Sequence, residues 1–258
     1  MSWYSSSWSH RAAVTVANTS GTATVDVSFT IPADFDHFWS NVLSSGNDIR
    51  MVDGDGKTGL TYNVTSFNKT NRTGTIEVDA LALKNTAGMY QIWLYYGNAA
   101  ASSGTSAVSI ASAVTAYIDQ GTPARAIVLT QETPGATRPR LSIAKSTADE
   151  LYQWIDVSNY LEFRRRPYNG HRELDEVYGA TIDVQTGGAS QASMFETAAQ
   201  RFVYYRGRSF VLAKFKAGTD ATDYVVRVTV RTKRDAGDNT YKVVVGSFLL
   251  KVNNVDEA

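Results

Sequence analysis

The residues with the most pointed chemical potential in this chain are carboxylates. Asp53-Gly-Asp-Gly56 sets two of them two residues apart in a glycine-rich turn, the way a calcium loop begins. A twelve-residue calcium hand counted from Asp53 needs a bidentate carboxylate at its last position, and Val64 stands there. The stretch therefore reads as a tight strand-connecting turn. Asp53 and Asp55 stay as weak calcium candidates that Asn47 or Asp48 would have to assist.

Glu173-Leu-Asp-Glu176, close after His171, has the composition of a glycosidase acid/base pair. It also lies beside Arg164-Arg-Arg166 and Arg172, so mutual neutralisation in a surface ion-pair patch is the preferred reading. His10, His37 and His171 share no i, i+2 or i, i+4 spacing, so no zinc site can be argued from them. No G-x-S-x-G elbow occurs, and the absence of Cys removes thiol chemistry and disulfides together. The expectation is a protein that is not an enzyme and holds no cofactor.

Arg164-Arg-Arg-Pro-Tyr168 points instead to contact. Guanidinium forks are common at buried interfaces, and Tyr160, Phe163 and Tyr168 supply aromatic anchors nearby. One basic tripeptide is too narrow for a phosphate stripe. A protein-protein contact is preferred, and a solvated loop is equally compatible. Trp3 and Tyr4 precede the first strand, and a short aromatic and serine arm would gain order by docking onto a neighbouring subunit. The partner-contact candidates are thus Trp3, Tyr4, Arg164, Arg165, Arg166 and Tyr168.

The elements that must position these groups are mostly strands. Period-two alternation, β-branched and aromatic runs, and Gly/Asn/Asp/Ser punctuation predict strands over 12–16, 22–31, 75–81 and 89–96, with a hairpin pairing 49–52 to 60–67. Pro32 opens a short helix whose Phe35, Phe38, Trp39 and Val42 form an apolar stripe, ending near Gly46. Residues 89–96 carry large apolar groups on both faces, as a strand covered on two sides requires. From 98 to 122 the chain turns to Ala, Ser, Gly and Thr, a connector with one short packed element within 108–117.

Beyond it, strands are expected over 126–130, 177–185, 202–206, 209–216, 224–233 and 241–252, the last two a hairpin about the polar turn 235–239. Ser146 and Asp149, in capping-box spacing before Leu151 and Trp154, predict a short helix over 146–154. The division read from this is an N-terminal arm (1–7), a β-sandwich domain (8–104), a connector (105–124) and a β-rich C-terminal domain (125–258).

At 258 residues the chain can bury a core without a metal or disulfide staple. Lys plus Arg equals Asp plus Glu at 25 each, so no global field draws nucleic acid or an anionic membrane. No run approaches the roughly 20 apolar residues of a bilayer span, and the N-terminus has no secretory pattern, so a soluble chain is expected. Asn-x-Ser/Thr triplets at Asn18, Asn63, Asn68 and Asn71 read as polar loop ends.

Trp8-x-x-Arg11, Asp48-Ile-Arg-Met-Val-Asp53 and Trp93-Leu-Tyr-Tyr-Gly-Asn98 occur in that order, and together they resemble an uncharacterised concanavalin-like β-sandwich domain of bacterial surface and bacteriophage virion proteins. Met51 replaces the usual Phe of the middle block, a tolerated core swap. The resemblance covers residues 8–98 and brings no catalytic residues. It implies a jelly-roll-like sandwich; with the short helix and the later strands read above, the expected fold is all-β, that sandwich followed by a second β-rich domain.

The functional expectation is a non-enzymatic virion structural protein, a capsid decoration (cement) or tail-associated component assembled in the host cytoplasm. Its partners would be copies of itself, with a trimer one order considered, and other virion proteins. The alternative is a carbohydrate-binding module of a bacterial surface or secreted protein, extracellular or at the cell surface. A host glycan is a partner compatible with both, and neither nucleic acid nor membrane is expected.

Overall fold

The computed structural model describes residues 4–83, 87–110, 112–119, 123, 125–129, 141–158, 176–233 and 242–253. In the first half the strands are β1 (His10–Asn18), β2 (Thr24–Thr30), β3 (Arg50–Val52), β4 (Tyr62–Asn68), β5 (Thr73–Ala82), β6 (Gly88–Tyr96) and β7 (Ala113–Tyr117). One helix, α1 (Asp36–Asn41), lies between β2 and β3. The second half contributes β8 (Ile127–Val128), β9 (Ser142–Lys145), β10 (Leu151–Asp156), β11 (Glu176–Thr186), β12 (Ala189–Ser190), β13 (Arg201–Tyr205), β14 (Arg208–Phe215), β15 (Thr222–Lys233) and β16 (Lys242–Val252). The fold is all-β, as the sequence predicts.

β6 is the centre. It pairs antiparallel with β1 along its whole length, from His10 opposite Tyr96 to Asn18 opposite Gly88. Every residue from Met89 to Tyr96 is buried. Alternation sends Tyr90, Ile92, Leu94 and Tyr96 into one core and Met89, Trp93 and Tyr95 into another. The first core is closed by β2 and β5 through Val27, Phe29, Ile76 and Val78, and by the helix stripe Phe35, Phe38, Trp39 and Val42. The helix itself is shorter than predicted, six residues, but its stripe is buried as expected.

The sheet order runs β4-β5-β2-β7-β1-β6-β11-β15-β16-β9, with β3 beside β6 and β12 beside β11. β7 turns the corner: Ala113 to Thr115 pair with β2, and Ala116 and Tyr117 pair with β1. The sheet thereby doubles back so that β2 and β5 cover β1 and β6. The order separates neighbours in sequence, and it replaces the expected hairpin of 49–52 with 60–67. β1 and β2 are separated by β7, and β3 pairs with β6 rather than forming a hairpin with β4, which pairs with β5. A bridge from Val52 to Gly59, a bond from Leu60 N–H to the Met51 carbonyl and one from Arg50 Nη1 to the Tyr62 hydroxyl at 3.4 Å link β3 to the segment after it.

On the far side of β6 the sheet continues into β11, β15, β16 and β9. The second core lies between this part and a four-stranded sheet, β13-β14-β10-β8. Val226, Val228 and Val230 face it from β15, and Phe202, Val211, Ala213, Phe215 and Ile155 from the smaller sheet. Strands from both sides of the 105–124 segment therefore share one sheet and one core. The helix expected over 146–154 is instead a bend followed by β10. Ser146 Oγ accepts the Ala148 N–H at 3.4 Å, a local turn, and Gln153 and Ile155 are buried while Tyr152 is exposed, the period of a strand.

The seam between β6 and β11 pairs only Tyr90 with Gly179 and Met89 with Ala180. Two glycines permit the approach. A Cβ on Gly179 would sit 3.1 Å from the Met89 carbonyl oxygen, and one on Gly54, in the turn after β3, would sit 2.6 Å from the Gln91 carbonyl oxygen and 2.8 Å from Tyr178 Cδ2. The obstacle at Gly54 is backbone of the central strand, which cannot step aside. Gly54→Ala is expected to cost about 1–3 kcal/mol in urea unfolding through overpacking. Gly59→Ala, whose Cβ meets only Tyr4 at ordinary contact distance, should stay within about 0.5 kcal/mol of the parent.

Candidate functional site

The three sequence blocks converge because their strands are neighbours at one level of the sheet. Tyr95 of β6 stands opposite Arg11 on β1 and opposite Arg50 on β3. The Arg11 guanidinium carbon lies 3.9 Å from the Trp93 ring centroid and 4.4 Å from that of Tyr204, and its Nη1 donates to the Tyr95 hydroxyl at 3.2 Å. Since Tyr204 belongs to β13, this one cation fastens the smaller sheet to the larger. Arg11 itself is 5% exposed.

Asp48 is wholly buried and ties three segments. Its Oδ1 accepts the Leu43 N–H at 3.0 Å, its Oδ2 accepts the Gly97 N–H at 2.8 Å, and its carbonyl accepts the Trp8 indole N–H at 2.7 Å. Arg50 Nη1 donates to the Asn47 and Ile49 carbonyls at 2.8 and 2.6 Å, and its Nη2 to the Ser102 carbonyl at 2.7 Å. The Trp8 ring covers it at 5.0 Å. Gly104 passes so near that a Cβ would lie 2.6 Å from the guanidinium carbon. Burial raises the Tyr62 hydroxyl's pKa, and the neighbouring Arg50 pulls against that shift. Arg11, Asp48 and Arg50 are each engaged by backbone or ring partners, and those bonds hold strands and loops together.

Tyr4 joins the same cluster. Its N–H donates to the Tyr95 hydroxyl at 3.3 Å, and its ring lies 5.6 Å from that of Trp8. The N-terminal segment from Tyr4 onward is thus docked on its own chain. Trp3, Arg164, Arg165, Arg166 and Tyr168 lie outside the described residues, as does the run from His171 to Asp175.

Asp53 and Asp55 are both buried. Asp53 Oδ1 accepts the Gly54 N–H at 2.7 Å. Asp55 Oδ1 accepts the N–H groups of Lys57 and Thr58, and its Oδ2 the Thr58 hydroxyl at 2.5 Å. The carboxylates shape the turn that carries Gly54 to the seam. Among the described residues no group of three or more His, Asp or Glu side chains is placed to hold a metal ion. Asn18, fully buried, donates to the Thr22 carbonyl at 2.8 Å, while Asn63, inside β4, accepts the Val64 N–H and Asn68, at the end of that strand, accepts the Asn71 N–H.

One association escaped sequence reasoning. His10 and His37, 27 positions apart in the chain, meet with ring centroids 4.6 Å apart and planes perpendicular, and His37 Nδ1 lies 2.8 Å from the Tyr96 hydroxyl. The signal was present but indirect: His10 opens the strand that pairs opposite Tyr96, and His37 sits on the helix whose stripe packs on that tyrosine. Burial lowers the His10 pKa first and the neighbouring His37 adds to it, with Asn41 opposing. Burial pushes the Tyr96 hydroxyl far above its ordinary value, so it stays protonated. Gly97, at φ +84°, closes the cluster, because a Cβ there would lie 2.7 Å from His10 Cδ2.

The sequence model of a family described as a domain of unknown function (DUF2341) matches residues 45–123. That span holds Asp48, Arg50, Trp93 and Tyr95, and it excludes Trp8 and Arg11, which complete the cluster. No curated protein matches the chain.

Asp48→Ala leaves the Leu43 and Gly97 N–H groups without their acceptor, and a loss of about 2–4 kcal/mol in urea unfolding is expected. His10 makes stability depend on pH. Above the ordinary value of 6.5 His10 is neutral folded and unfolded and contributes nothing. Below it the unfolded chain takes up the proton more readily, so stability falls as the pH drops from 6.5 towards the lowered folded value. Unfolding midpoints measured from pH 8 to pH 5 should decline less steeply in His10→Gln than in the parent.

Proposed function

We propose that the chain is a non-enzymatic structural protein of a bacteriophage particle, a capsid decoration or tail-associated component that works by burying surface against copies of itself and other virion proteins. The observation that carries this reading is the engagement of Arg11, Asp48 and Arg50, which act as ties between strands and sheets. Residues with the charge to do chemistry are used as internal fasteners, the economy of a building block. A jelly-roll-like, concanavalin-type sandwich over residues 8–98 is the finer architecture we assign, on the three motif blocks and the doubled-back sheet. The location follows from the resemblance those blocks carry to virion modules.

Self-association as a closed symmetric oligomer is the expected state. Size-exclusion chromatography with light scattering on the full chain should give a single species larger than the 28.2 kDa monomer. Mass spectrometry and imaging of purified particles should place it on the capsid or tail. A strictly monomeric chain that is missing from particles would overturn the proposal.

A further inference from the structure

The four-stranded sheet turns Gln153, Ile155, Val211 and Ala213 inward, so alternation puts Tyr152 and Trp154 of β10 and Leu212 and Lys214 of β14 on its outer face. Tyr152 is 56% exposed, more than any other large apolar side chain among the described residues. Most rings among the described residues are buried, which makes an exposed one informative. Trp154, two residues on along the same face, is half-buried and about 7 Å from Tyr152 by strand geometry.

The exposed ring is held in place. Lys214, opposite Tyr152 in register, puts its Nζ 5.5 Å from the ring centroid. The same ammonium bridges Glu150 and Glu196 at 3.0 Å each, and Lys216 reaches Glu196 at 3.7 Å. Bonds from Glu150 and Glu196 keep Lys214 charged well above the usual lysine range, and Lys214 in turn lowers the Glu196 carboxyl. An aromatic strip thus lies beside two carboxylates that share one ammonium and stay 55% and 33% exposed.

A protein partner would have to strip water from those carboxylates, a cost that apolar contact does not return. Sugar hydroxyls replace that water bond for bond, while the C–H face of a pyranose lies on an aromatic ring. We propose that this strip is a carbohydrate-binding site: Tyr152 and Trp154 stack against one or two neutral hexopyranose rings, and Glu150 and Glu196 accept hydrogen bonds from their hydroxyls. This goes beyond the structural role proposed above and stands or falls separately from it.

The test uses the full chain on a glycan array, followed by calorimetric titration with the neutral oligosaccharides that score. Binding with a Kd of about 10 µM to 1 mM is expected. Tyr152→Ala, a surface change that should leave the urea midpoint in place, is expected to weaken binding at least about tenfold. Tyr152→Phe keeps the ring and should stay within about threefold of the parent. The proposal is overturned if no neutral glycan binds at millimolar concentration, or if Tyr152→Ala binds as well as the parent. Loss of self-association in Tyr152→Ala, without glycan binding by the parent, would overturn it in favour of an interface between copies.

Discussion

β6 has no face turned to water, and the rest of the molecule is arranged around that condition. Burying both sides of a strand removes solvent as a partner for the polar groups nearby, so their partners have to come from within. The seam with β11 shows how. The register of β11 shifts between Val177 and Gly179, and only two positions pair across the seam. Side chains supply what the ladder lacks: Gln91 Nε2 donates to the Val177 carbonyl at 3.0 Å, and Gln200 Nε2 to the Ala180 carbonyl at 3.1 Å. The Phe202 N–H donates to Thr15 Oγ1 at 2.8 Å, joining β13 to β1. All three side chains are at most 1% exposed. Buried polar groups paired in this way fix one arrangement of the strands, since sliding by a residue would strand each of them.

The motif residues belong to the same logic. An arginine on each strand flanking Tyr95 is a costly choice for an interior unless every guanidinium edge or face finds a partner. Arg50 finds carbonyls, and Arg11 finds two aromatic faces and a hydroxyl. The carbonyls that Arg50 serves belong to Asn47, Ile49 and Ser102, irregular backbone that no ladder could satisfy. Asp48 does the converse for the N–H groups of Leu43 and Gly97. Cation and anion are therefore complementary caps on loop backbone, and their spacing in the sequence records where those loops leave the sheet.

What the sequence disclosed and what it hid divide along the range of the interactions. Alternation along β6, the valines of β15 and the Phe35-to-Val42 stripe depend on which face is apolar, and they were legible. Pairing partners were not. That β3 joins β6, and that β7 slips between β1 and β2, depends on contacts between segments tens of residues apart, which periodicity does not encode. β10 was misread because Leu151 and Trp154 stand at the i, i+3 spacing of one helical face, whereas in the strand they point to opposite faces, and packing against β14 decided between the two. The two histidines looked scattered because a helix and a strand had to be brought together before they could meet. Tyr4 was expected on a neighbouring subunit because the docking surface on its own chain, built from Trp8 and Tyr95, is visible only once β1 and β6 are paired.

The matched segment, residues 45–123, spans β3 to β7, yet in this chain it is not a closed sheet. β1 lies between β6 and β7 and supplies nine paired positions to β6 alone. Without it, the most buried strand of the molecule would present an unpaired edge. β1 also carries Arg11 and Thr15, the two polar residues that reach into the second-half strand β13. β1 thus both completes the sheet around the matched segment and adds a second link to the second half of the chain, beside the seam of β6 with β11. A scaffold centred this way spends its motif charges on its own backbone and rings, and its outward display is decided by the elements stacked upon it. The outer face of the four-stranded sheet, fastened through Tyr204 and Phe202 and bearing the fixed ring of Tyr152, is such a display.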